Sequence, residues 1–143
     1  MIPARVSIVF LGVKDMSCMR AFFRQLGWPE QSTSNDQHVM YHTGGAILGL
    51  YPEDDLRADA DVAGEDGSEV RPFTLAVNLE SKEAVDRAFA HLEQIEAEIT
   101  KPPENVFWGG YSGYFRDPEG NLWEVAHNPF VEFDDRGALI LGE

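Results

Sequence analysis

The order strand, helix, hairpin occurs twice in this chain, and that repeat constrains the fold more than any other feature. The first copy starts with VSIVFLGV at residues 6–13, which is rich in β-branched and aromatic residues and predicts a strand buried on both faces. A helix is predicted to begin at Asp15 as its N-cap and to end at Gly27. Two short strands then flank Gly44 and Gly45, a pattern that predicts a hairpin.

The same order returns from Pro72 onward. The strand is FTLAVNL at residues 73–79, and Ser81 can cap a helix with an apolar stripe on one side. Residues 118–121, PEGN, predict the turn of a closing hairpin, because Pro fixes φ and Gly allows positive φ. Each copy alone has too little core, so the 143 residues are expected to form one domain. Its parts are module one (5–52), a connector (53–71), module two (72–128) and a C-terminal tail (129–143).

The connector and the tail have opposite character. The connector carries eight acidic and two basic residues, which predicts a solvated link with one helical turn around Leu56; the alternative is a charged lid. The tail is apolar enough to pack on its own chain or on a second copy of it. Its apolar residues are Phe130, Val131, Phe133, Leu139, Ile140 and Leu141.

Charge and cysteine content exclude several classes of function. Eleven Lys and Arg against 25 Asp and Glu give a formal charge of −14, which repels phosphate backbones and anionic lipid, so neither nucleic acid nor membrane is an expected partner. Cys18 is the single cysteine, so an intrachain disulfide is excluded. No segment has the pattern of a signal peptide or a membrane span, and we expect a cytoplasmic protein.

Two segments resemble a known family. FWGGYSGYFRDPEGNLWEVAHNPF (107–130) resembles the last hairpin of the glyoxalase, bleomycin-resistance and ring-cleaving dioxygenase superfamily, also called vicinal-oxygen-chelate. FLGVKDMSCMRAFFRQLGW (10–28) resembles its first strand and helix. The resemblance implies an α+β fold in which paired βαβββ modules form a curved mixed sheet around a cleft, with the helices on the outer face. It also implies that a homodimer is common.

The resemblance also implies four cleft positions that carry His or Glu in metal-dependent members. They fall at Ile8, Gly49, Thr74 and Glu124 in this chain, so only one retains a metal-ligating side chain. A divalent ion needs several converging N or O donors, and we therefore expect no metal site and no cofactor.

Strand alternation predicts the rest of the cleft wall. If Glu124 faces inward, the wall is mostly apolar with a few polar groups, which is the composition of an organic-ligand pocket. Desolvation would disfavour the charged Glu124 carboxylate unless Thr74, Asn78 or a water donates a hydrogen bond to it. The candidate ligand-binding residues are Ile8, Phe10, His42, Tyr51, Thr74, Asn78, Trp108, Tyr111 and Tyr114, and the candidate catalytic residue is Glu124.

Two further patterns have competing interpretations. His38 and His42 would lie about 13 Å apart on one strand, too far to share a metal, so both are interpreted as ordinary histidines, with His42 nearer the predicted cleft rim. Trp108 and its aromatic neighbours surround Gly109 and Gly110. They form either a glycine turn that covers the core or a mobile lip that stacks on a planar ligand.

The leading hypothesis is a metal-independent member of the superfamily that binds a small aromatic or amphipathic molecule, for example by sequestration. The alternative is a glyoxalase-like lyase or isomerase, with or without a divalent metal, in which Glu124 abstracts a proton beside a carbonyl. A ring-cleaving oxygenase is less favoured, because its iron needs two histidines that the matched positions lack.

Overall fold

The computed structural model describes residue 4 and residues 8–59 and 73–140. The chain divides into two compact units, whose described residues are 4, 8–59 and 135–138 for the first and 73–134 and 139–140 for the second. The first unit contains β1 (Ile8–Val13), α1 (Met16–Gln25), β2 (Val39–Tyr41), β3 (Ile47–Pro52) and α2 (Glu53–Asp59). The second contains β4 (Leu75–Asn78), α3 (Lys82–Gln94), β5 (Glu98–Asn105), β6 (Tyr111–Arg116), β7 (Leu122–His127), β8 (Glu132–Phe133) and β9 (Leu139–Ile140). The predicted α+β fold with mixed sheets is confirmed.

In the first unit, β3 lies between β1, with which it is parallel, and β2, with which it is antiparallel. The predicted cap is present: the Asp15 carboxylate accepts a hydrogen bond from the Cys18 backbone N–H at 3.0 Å and starts α1. The apolar side of α1 is buried through Met19, Phe22 and Phe23. The Phe23 ring centroid lies 4.9 Å from that of Tyr41 on β2, which ties the helix to the sheet.

The segment that leads into β2 is held by side chains. Arg20 on α1 donates to both carboxylate oxygens of Glu30, at 2.8 and 2.7 Å, and to Asp36 at 2.5 Å. Asn35 and His38 exchange backbone hydrogen bonds at 3.0 and 3.1 Å, and this is an isolated bridge outside the named strands. Arg20 therefore anchors this segment to α1, and the anchor fixes the backbone of His38.

The connector begins with a helix longer than the single turn that the sequence predicts. α2 covers seven residues, and Glu53, Asp54 and Asp55 in its first turn suit the positive end of a helix dipole. Leu56 is half-buried and lies close to Gly12 of β1. Residues 60–72 lie outside the described residues, so the charged lid stays a prediction.

In the second unit, the strand order is β4-β7-β6-β5, with β4 parallel to β7. Ser81 caps α3 as predicted, since its hydroxyl accepts from the Ala84 backbone N–H at 3.0 Å. The apolar stripe of α3 buries Val85, Phe89 and Leu92. Phe89 lies so close to Gly113 of β6 that a Cβ there would be 2.6 Å from its ring.

The hairpin that joins β6 to β7 is locked by Asp117, which is 4% exposed. Its carboxylate accepts from the backbone N–H groups of Glu119 and Asn121, both at 3.0 Å, from the Asn121 amide at 2.8 Å and from the Trp123 indole at 3.0 Å. Gly120 has φ of +83°, as the predicted turn requires. The register of β7, and with it the position of Glu124, is therefore set by a buried polar cluster.

Part of the apolar tail pairs with itself. β8 and β9 are antiparallel, with Phe133 opposite Leu139 and Glu132 opposite Ile140. Leu139 and Ile140 are nonetheless exposed. Leu141 lies outside the described residues. Within those residues, no helix has the length and apolar character needed to span a membrane.

Candidate functional site

The first unit presents an aromatic sheet face. Along β1, Leu11 and Val13 are buried, whereas Ile8 and Phe10 are 38% and 36% exposed, so the alternation leaves two large apolar side chains on the surface. Phe10 lies against two other rings: its centroid is 5.5 Å from that of His38 and 5.8 Å from that of Tyr51. The rings of His38 and Tyr51 are 5.7 Å apart and nearly perpendicular. We call Phe10, His38 and Tyr51 the aromatic cluster.

Gly49 lies beneath this cluster. It is directly opposite Phe10 in the parallel pairing of β1 with β3 and opposite Met40 in the pairing with β2. A Cβ at Gly49 would lie 2.5 Å from two carbons of the Phe10 ring and 3.2 Å from the Met40 sulfur. The Phe10 ring thus occupies the space that any larger side chain at position 49 would need.

The second unit presents a polar face at the corresponding register. Glu124 of β7 lies opposite Ala76 of β4 and opposite Tyr114 of β6. By alternation, Leu122 and Ala126 share the face of Glu124, whereas Trp123 and Val125 are buried on the other face. Of the predicted residues at β4, Thr74 is exposed and Asn78 is half-buried.

Tyr114 is the hydrogen-bond donor to Glu124. This bond to the carboxylate, with burial as a smaller cause, raises the pKa of Tyr114 above its ordinary value of 10.0. The sequence indicates Thr74, Asn78 or a water as the groups that could donate to Glu124, and Tyr114 is not among them. It places Tyr114 among the aromatic ligand contacts and misses the pairing across the hairpin.

Tyr111 differs from Tyr114 in position. The odd-numbered residues of β6 lie on the face of α3, and the Tyr111 hydroxyl donates to Asp86 of that helix at 2.5 Å. Lys82 lies over its ring, 5.8 Å from the centroid. Tyr111 therefore lies on the opposite face of the same sheet from Glu124 and Tyr114, and its role as a ligand contact stays a prediction.

The loop that carries Trp108 is compact. The Val106 N–H donates to the Gly110 carbonyl at 2.9 Å, and the Gly109 N–H donates to the Val106 carbonyl at 3.0 Å. The Trp108 ring lies over Gly110, where a Cβ would be 1.9 Å from it, and Trp108 remains 40% exposed. The glycine is needed for this close approach, and the choice between structural turn and ligand-stacking lip stays a prediction.

One of the four histidines, His38, lies in the aromatic cluster, and the other three lie elsewhere. His42 follows β2 and is exposed, His91 is exposed on α3, and His127 bonds through Nδ1 to the Leu79 carbonyl oxygen at 3.0 Å. His38, interpreted from sequence as an ordinary histidine, instead joins the aromatic cluster. Alternation could have indicated this, because His38 has the parity of Met40, which faces Gly49.

A family model described as the glyoxalase/bleomycin resistance protein/dioxygenase superfamily matches residues 5–125. The chain belongs to this superfamily. No curated protein is similar enough to count as a match.

Solved structures of superfamily members share the fold. A glyoxalase-related enzyme from Fulvimarina pelagi is 25% identical with a TM-score of 0.88, over 99% of this chain and 100% of the other. A lactoylglutathione lyase from Agrobacterium tumefaciens is 26% identical with a TM-score of 0.67, over 88% and 95% of the two chains. A glyoxalase/bleomycin resistance protein/dioxygenase family enzyme from Burkholderia phytofirmans PsJN, at 24% identity and a TM-score of 0.78 over 87% and 98%, supports the fold alone.

The four positions that the resemblance implies for metal ligands offer few donor side chains. The side chains of Ile8 and Gly49 have no donor atom, Thr74 offers a hydroxyl, and the Glu124 carboxylate accepts a hydrogen bond from Tyr114. Among the described residues, no three His, Cys, Asp or Glu side chains are grouped so that they could hold a metal ion.

Proposed function

We propose that this superfamily member binds a small aromatic or amphipathic organic molecule and does so without a divalent metal. The observation that carries the proposal is the Phe10 ring over Gly49, because it places an apolar surface where the superfamily resemblance implies a metal ligand. Planar molecules gain from stacking on aromatic side chains and from burial of apolar area. The exposed Ile8 and Phe10 enlarge that apolar surface.

The metal part of the proposal is tested by elemental analysis of protein purified without an affinity tag. We expect far less than one equivalent of Zn, Ni, Fe or Mn per chain. The variants Glu124→Gln and, as control, Glu132→Gln, an exposed glutamate on β8, should leave that content unchanged. Stoichiometric metal that Glu124→Gln alone removes would overturn metal independence.

The ligand part is tested with 2-methylnaphthalene, an apolar planar probe, in equilibrium dialysis. Phe10→Ala should weaken its binding several-fold, because one of the three rings of the aromatic cluster is lost. Binding that Phe10→Ala does not change would remove the aromatic face from the proposal.

A second candidate function is a glyoxalase-like lyase or isomerase with Glu124 as general base. The hydrogen bond from Tyr114 supports it, since a base must be held in a fixed position to abstract a proton beside a carbonyl. The test is turnover of the glutathione hemithioacetal of methylglyoxal by the wild type and Glu124→Gln. Turnover by the wild type that Glu124→Gln loses would favour this candidate. If neither protein turns the substrate over, this candidate is rejected and the ligand-binding function is kept.

A homodimer is part of the proposal. The exposed Leu139 and Ile140 and the 76% exposed Phe130 support it, because apolar surface of this kind is commonly covered in a symmetric partner. Sedimentation velocity at micromolar concentration should give a dimer, and a stable monomer would contradict it.

A further inference from the structure

The His38 imidazole differs from every other group on the aromatic face of the first unit. The other side chains on this face are those of Ile8, Phe10, Met40 and Ile47, which offer no strong hydrogen-bonding atom, and Tyr51, whose hydroxyl is at the end of its ring. His38 is half-buried, and its ring lies against the rings of both Phe10 and Tyr51. Within the described part of the chain, no side-chain hydrogen bond involves His38.

Hydrogen bonds also hold the His38 backbone in place. It exchanges two backbone hydrogen bonds with Asn35, and Asp36 between them is bound to Arg20 of α1. A side chain with a fixed backbone and a fixed ring plane loses little conformational entropy when it binds a partner. Its two ring nitrogens are one donor and one acceptor in the neutral form.

We infer that His38 is a specificity-determining residue, which selects planar aromatic ligands that carry a hydroxyl or another hydrogen-bonding group at the ring edge. The aromatic cluster supplies the stacking surface, and the imidazole supplies the directional contact to the ligand's polar edge. The inference rests on the proposed aromatic-ligand function and adds to it the chemical class of the ligand. A site that offers an unpaired polar group discriminates against ligands that cannot bond to it.

The test compares two probes of the same ring system, 2-naphthol and 2-methylnaphthalene, by equilibrium dialysis at pH 7. The wild type should bind 2-naphthol about fivefold more tightly, the ratio expected for one net hydrogen bond of about 1 kcal/mol. His38→Phe keeps an aromatic ring without the nitrogens, and it should abolish the preference while 2-methylnaphthalene still binds. His38→Gln keeps a donor and an acceptor without the ring, and it should weaken both probes while the preference for 2-naphthol survives.

His91→Phe is the matched control, since His91 is an exposed histidine on α3 and lies outside the aromatic cluster. It should leave both affinities unchanged. Equal binding of the two probes by the wild type, a preference that survives in His38→Phe, or the same loss in His91→Phe would each overturn the inference while the aromatic-ligand function stands. If neither probe binds to the wild type, the aromatic-ligand function itself fails, and the role of His38 fails with it.

Discussion

The two units carry the same pair of facing positions and fill them in opposite ways. In the first, Phe10 on β1 lies beside Gly49 on β3; in the second, Ala76 on β4 lies beside Glu124 on β7. The large side chain therefore comes from the first strand of the parallel pair in one unit and from the second strand of the pair in the other. This exchange leaves an aromatic ring at the pair in the first unit and a carboxylate at the pair in the second.

The interiors of the two units differ as well. The second contains Asp117, a buried carboxylate that accepts hydrogen bonds from backbone, amide and indole donors. The first contains Tyr41, which is 1% exposed and whose hydroxyl has no partner among the described residues. A buried polar group stabilises a fold only when its hydrogen bonds are made, so the same kind of burial should have opposite effects in the two units.

The largest effect is expected from Asp117→Ala. The change removes the buried carboxylate to which the Asn121 amide and the Trp123 indole N–H donate, and it should lower the free energy of unfolding by about 3 kcal/mol. Urea denaturation measures the loss, and Glu132→Ala at an exposed position is the control. A loss below about 1 kcal/mol would mean that the polar cluster does not hold this hairpin.

Gly49→Ala tests the steric basis of the comparison. The new methyl group would lie 2.5 Å from the Phe10 ring, and we expect a loss of about 2 kcal/mol in urea denaturation. Gly45→Ala is the control, since among the described residues no atom beyond its two chain neighbours lies within 4 Å of a Cβ there. The double variant Phe10→Ala/Gly49→Ala places alanine on β1, as Ala76 is on β4 of the second unit, and it should recover most of the lost stability. If the stability losses of the two single variants simply add in the double variant, this result contradicts the steric argument.

The sequence predicts this comparison only in part. Both N-caps and the turn at Gly120 follow from local patterns, because caps and turns are chosen by neighbouring residues, whereas the four aligned positions came from the family resemblance. The Tyr114–Glu124 pair needs the hairpin register, which could have been obtained by counting outward from the centre of the turn. Alternation could have placed His38 on the face of Met40, but its contacts with the Phe10 and Tyr51 rings could not be predicted, because those residues are distant in sequence.

Tyr41→Phe should stabilise the first unit. Burial raises the pKa of Tyr41 to about 12, the direction expected of a phenol without solvent, and removal of its hydroxyl should increase the free energy of unfolding by about 1 kcal/mol. Tyr111→Phe is the control in the second unit, where the hydroxyl has Asp86 as acceptor, and it should give no gain. A loss of 1 kcal/mol or more in Tyr41→Phe would mean that an internal water serves the hydroxyl.

The smallest effect is expected at the Arg20–Glu30 ion pair, which has a counterpart in Lys101–Glu104 of the second unit. The Arg20 and Glu30 side chains are 21% and 23% exposed, against 50% and 57% for Lys101 and Glu104, so water screens the first pair less. Hydrogen bonding to Arg20 lowers the pKa of Glu30 below its ordinary value of 4.5. Arg20→Met should therefore cost up to about 1 kcal/mol at pH 7, and Lys101→Met almost nothing.

The pH dependence of this cost identifies its source. The pKa of Glu30 is lower in the folded state than its ordinary value of 4.5 in the unfolded chain. The ion pair therefore stabilises the fold fully above pH 4.5, and this stabilisation is lost as the pH falls through the folded-state pKa. In urea denaturation at pH 7 and at pH 3, the gap between the wild type and Arg20→Met should narrow at the lower pH. If the difference in unfolding free energy between the wild type and Arg20→Met is the same at both pH values, the loss comes from packing of the Arg20 side-chain stem and not from its charge. The difference in charge screening between the two units would then have no effect on stability.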